Sequence, residues 1–75
     1  MTAIKIIVEF NKHVSNDQMA SMTSSIAAYG NVFPGSLDRQ FIVEVFRLSK
    51  AQSLRAQLAQ WEVHGFLRWT EKSSN

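Results

Sequence analysis

The chain has 75 residues, eight Lys or Arg against six Asp or Glu, and no Cys. That length supports one small domain with a modest core. The missing thiols exclude disulfides, cysteine nucleophiles and cysteine-held zinc, and a formal charge of +2 permits nucleic acid as a partner without demanding it.

At 45% hydrophobic and 19% charged residues, the chain is too apolar to be disordered. Its first run, Ile4–Phe10, alternates as a strand does. Ile4, Ile6, Val8 and Phe10 share one face; Lys5, Ile7 and Glu9 share the other. The run is too short, and too broken by Lys5 and Glu9, for a signal-peptide core or a membrane span, and a cytoplasmic protein is expected. After the loop Asn11–His13, Ser15 and Gln18 form the capping-box pattern of a helix start. Val14 and Met19 occupy the staple positions, and Asp17 lies in the first turn, where the helix dipole favours an anion. Met19, Met22, Ile26 and Tyr29 then recur at helical spacing as one apolar stripe. Gly30 is placed to end this helix with a positive φ.

Asn31–Phe33 reads as a short edge strand, followed by Pro34-Gly35 as a type II turn or a kink. Gln40–Phe46 reads as the next strand, with Phe41, Val43 and Val45 on one face and Ile42, Glu44 and Phe46 on the other. Ser49 and Gln52 repeat the capping-box spacing and predict a second helix from about Lys50 to Trp61, striped by Leu54, Leu58 and Trp61. A last strand is expected from about Gly65 to Thr70, with Leu67 and Trp69 on one side and Phe66 and Arg68 on the other. Residues 72–75 read as a frayed tail of a single domain that spans residues 1–75.

The order β-α-β-β-α-β resembles the ferredoxin-like, split βαβ architecture, an α+β fold. The resemblance implies a four-stranded antiparallel sheet, order 4-1-3-2, with both helices on one face and the other face open. By alternation the open face carries Lys5, Ile7, Glu9, Ile42, Glu44, Phe46, Phe66 and Arg68. Apolar side chains among paired charges suit a protein contact or a dimer interface. Ile7, Ile42, Glu44, Phe46, Phe66 and Arg68 are the candidate partner-binding residues, with Ile42, Phe46 and Phe66 as apolar anchors.

A second candidate is the edge where both helices are expected to begin, with Lys12, His13, Arg47 and Lys50 beside them and His64 nearby. Free N–H groups and positive dipole ends make such an edge an anion or nucleic-acid site. The stretch Arg39–Phe46 partly resembles the RNP1 motif of RNA-recognition domains through Arg39, Phe41 and Phe46. It departs from the motif at Gln40, Ile42, Val43 and Glu44, and Ile7 stands where the first strand of such a domain offers a stacking aromatic. His13, His64 and Glu62 come nearest to a metal set, without the HxxxH or HxxE spacing of a built site. General-base work by His13 needs an oriented nucleophile, and Ser15 is committed to its cap. Acylphosphatases share this fold class, yet the loop Asn11–His13 has neither the Gly pair nor the Arg of their anion cradle.

The expectation is therefore a non-enzymatic protein-binding module without metal or cofactor, acting through its open sheet face. It has the scale of a small inhibitor or regulator such as phages encode, and its partner is another protein or a second copy. Binding of RNA or single-stranded nucleic acid through the sheet and the basic edge is the alternative. No membrane partner is expected.

Overall fold

The computed structural model describes residues 3–73. Its elements run β1 (Ile4–Phe10), α1 (Asn16–Ile26), β2 (Asn31–Pro34), β3 (Gln40–Val45), α2 (Leu48–Val63) and β4 (Leu67–Ser73). The strands form one antiparallel sheet in the order β2-β3-β1-β4. The build is ferredoxin-like, with β1 and β3 central, as the order of apolar runs predicts.

Alternation places the core. Ile6, Val8 and Phe10 of β1, Val43 and Val45 of β3, and Leu67 of β4 are buried with Ile26 of α1 and Ala51, Leu54 and Leu58 of α2. Both helices therefore cover the same sheet face. Each fully buried Ile, Leu or Val contributes roughly 1.5–3 kcal/mol against the entropy of the chain. Phe10 meets Phe41 edge to face at 5.8 Å between ring centroids.

Helix α1 starts as its sequence predicts. Gln18 N–H donates to Ser15 Oγ at 3.1 Å, and Ser15 N–H donates to Gln18 Oε1 at 3.3 Å. Its end differs. The helix stops at Ile26, and tighter bonds from Ala28 N–H to Ser25 O and from Tyr29 N–H to Ile26 O wind the next turn. Gly30 does not have the positive φ expected of it. A Cβ there would lie 2.2 Å from the Glu44 carbonyl oxygen, so close approach to β3 is what demands glycine. Gly35 likewise has no positive φ, so no type II turn forms, and Pro34 stays within β2.

The second capping box does not form. Helix α2 begins at Leu48 after Arg47, which has extended backbone and no side-chain cap, so Ser49 and Gln52 fall inside the helix. Phe46 and Arg47 alone separate β3 from α2, and Ala51 is already in the core. The chain turns helical as soon as it leaves the ladder, and a cap worth about 1 kcal/mol does not delay it.

The far end of α2 is closed by Gly65, at φ +81. Gly65 N–H donates to Glu62 O and Phe66 N–H to Trp61 O, each at 3.0 Å, which is the Schellman pattern. This corner occupies the start of the expected last strand, so β4 begins at Leu67. It continues to Ser73, and Lys72 and Ser73, expected in a frayed tail, pair with Lys5 and Ile4. Residues 74–75 lie outside the described residues. The extension brings Glu71 to Arg55 of α2 as a two-point pair, with Nε to Oε1 at 2.6 Å and Nη2 to Oε2 at 2.8 Å.

Candidate binding face

The sheet face turned away from the helices is built from three cross-strand rows. The middle row is Phe33–Ile42–Ile7–Thr70, crossing all four strands. One flanking row is Asn31–Glu44–Lys5–Lys72. The other is Gln40–Glu9–Arg68. Ion pairs run along both flanks, Lys5 to Glu44 at 3.9 Å and Arg68 to Glu9 at 3.6 Å. A shallow depression of about 470 Å³ lies over the β1–β4 side and reaches past the β4 edge, lined by Ile7, Glu9, Gln40, Arg68 and Thr70 of this face and by Trp69 and Glu62 from the helix side. An apolar stripe between charged borders is the anatomy of a contact surface: apolar centre, polar rim.

Of the candidate contact residues, Ile7, Ile42, Glu44 and Arg68 fall on this face, where alternation puts them. Neither candidate phenylalanine belongs to a row of the ladder. Phe66 lies in the Schellman corner before β4, packs against the core and faces the His64 ring at 6.1 Å between centroids. Phe46 lies beyond the last β3 pair and is 48% exposed, in a depression lined by Tyr29, Gly30, Asn31, Arg47 and Lys50. Phe33, not assigned to a face in the sequence, supplies the aromatic of the middle row and is 46% exposed. Val32 opposite Val43 packs on the core, so its neighbour Phe33 faces outward; pairing this short strand against β3 would have shown it.

The basic edge is corrected by the register. β1 and β3 are antiparallel and Val45 pairs with Ile4, so the C-terminal ends of the two strands lie at opposite ends of the sheet. The helix N-termini are opposite as well. Lys12, His13 and His64 belong to the end where Phe10 pairs with Leu67, and Arg47 and Lys50 belong to the other. Lys50 Nζ donates to Ala28 O at 3.3 Å, just past the end of α1. The four cations do not form one anion site.

Arg39, the basic residue of the partial RNP1 match, is bound to the chain itself. Its Nε donates to Asn11 O at 3.2 Å, and its Nη2 donates to Lys12 O at 3.2 Å and to Val14 O. The guanidinium fastens the β1–α1 loop, which Asn11 ties to the corner before β4 at the same end of the sheet by donating from Nδ2 to Gly65 O and from its backbone N–H to Phe66 O. Among the described residues, no three His, Asp or Glu side chains group as metal ligands would. Hydroxyls of α1 are partly used internally, Thr23 on Met19 O at 2.7 Å and Ser25 on Ser21 O at 3.3 Å. Also among the described residues, no helix is long and apolar enough to cross a membrane.

No protein-family model, curated protein or solved structure matches this chain.

Proposed function

We propose that the chain is a non-enzymatic protein-binding module whose contact surface is the bare sheet face, used as a small inhibitor or regulator is used. The observation that supports this reading most is the row Phe33–Ile42–Ile7, apolar across three neighbouring strands on the side that the helices leave uncovered. A domain this small gains stability by covering such a stripe. Nucleic acid has less support. Phe33 is the one aromatic side chain of the three rows, at the β2 edge, whereas single-stranded ligands want several stacking platforms over a cationic groove. The charged flanks are near balance, Lys5, Lys72 and Arg68 against Glu44 and Glu9.

Ile42→Lys and Phe33→Asp test the reading. Both sites are on the bare face, so the fold, followed by circular dichroism, is expected to survive. Complexes recovered by affinity capture, and the mass in solution, are expected to be lost or shifted in these variants. They should be unchanged in Val63→Lys, at a position on α2 that is 85% exposed. Association that persists at full strength in both face variants overturns the reading.

A further inference from the structure

We infer that the occupant of this face is a second copy of the chain, packed sheet to sheet about a two-fold axis parallel to the strands. The inference rests on the binding-face reading above and adds the partner and its register.

Two identical sheets meeting face to face have an in-plane two-fold axis, and aligned packing leaves it either along the strands or across them. The charges separate these choices. An axis along the strands exchanges β1 with β3 and β2 with β4 and keeps each row opposite itself. Ile42 then faces Ile7 of the other copy, Phe33 faces Thr70, Glu9 faces Gln40, and Glu44 faces Lys5, each contact occurring twice. Lys72 meets Asn31, and no like charges oppose. An axis across the strands sets the two flanking rows against each other; it too opposes Lys5 with a carboxylate, Glu9, twice, but it stacks Lys72 on Arg68 twice. Like charges directly opposed cost stability and opposite charges gain it.

The flank also has room for a second anion. Lys5 stands between Glu44 and Lys72, two cations beside one carboxylate, and its pair to Glu44 is long at 3.9 Å. The second copy brings its own Glu44 to that spot. The face is small: four strands spaced at ~4.8 Å and about six residues long project roughly 400 Å² per copy. A standard interface takes about 800 Å² per partner, so a dimer that dissociates in the micromolar range or above is expected.

Sedimentation equilibrium over a wide concentration range tests this with Lys5→Glu and Glu44→Lys. Each variant alone sets like charges across the axis and is expected to weaken self-association at least tenfold. Mixing the two pairs Glu with Lys at both sites, and the mixed species is expected to recover wild-type affinity. Ile42→Asp, which leaves those charges intact, is expected to remain monomeric. Single variants that are weakened but not rescued by mixing overturn the register. A wild-type chain that is monomeric at millimolar concentration, yet captures a different protein that Ile42→Lys loses, overturns the second copy and leaves the face reading standing. A monomer that captures nothing overturns both.

Discussion

Two glycines of this chain read alike and require different things. At Gly30 an added Cβ meets the Glu44 carbonyl oxygen at 2.2 Å, a backbone atom that cannot step aside. Gly30→Ala is expected to cost about 3 kcal/mol in urea unfolding. At Gly65 the space is open and only the positive φ, +81, is at stake, so Gly65→Ala should cost about 1–2 kcal/mol. A reversed order would show that the β2–β3 approach is looser than it stands here. From the sequence, Gly30 is expected to take the positive φ and Gly65 to start the last strand, although a glycine after an apolar stripe suits a helix end equally well at both places. The discriminating signal lies one residue on: Phe66 after Gly65 fits the apolar position of a Schellman corner, whereas Asn31 after Gly30 does not.

Among the elements, α1 and α2 begin by different means. Ser15→Ala is expected to lower stability by about 1 kcal/mol, and Ser49→Ala, inside α2, to stay within about 0.5 kcal/mol. Paired melts of the two variants check this. α2 is held to β4 by Arg55 and Glu71. The hydrogen bond from the Arg55 guanidinium keeps the Glu71 carboxyl below the usual carboxylate range. A depressed folded value means that the pair stabilises above the unfolded value, near 4.5, and loses its contribution as pH falls through the lower folded value. The denaturation midpoints of wild type and Glu71→Gln should therefore differ slightly at pH 7 and converge in strong acid. Strand phases were legible from alternation alone, since one slipped residue in β1 or β3 would bury Lys5 or Glu44. Which ends of the strands lie together was not. That depends on strand direction, and reading β1 and β3 as ending side by side joined cations that the antiparallel register separates.

At the scale of the whole molecule, the reserve of stability is small. A 75-residue domain holds on the order of 4–11 kcal/mol, and Leu58→Ala, at a fully buried site, is expected to remove about 3–4 of it. Self-association adds to this reserve by mass action, so the wild-type melting temperature should rise with protein concentration and that of Ile42→Lys should not. Coincident, concentration-independent melts for both would argue for a monomer. The corner at Gly65 and Phe66 carries one more consequence. Phe66 is tethered on both sides, its N–H to the end of α2 and its carbonyl to the end of β1, so the next residue enters the ladder with its phase already assigned. One extra residue inserted between Phe66 and Leu67 would turn the strand inside out. Leu67 and Trp69 would point to water and Arg68 would be driven under the helices, so this short bend is where the chain's tolerance for length variation should be lowest.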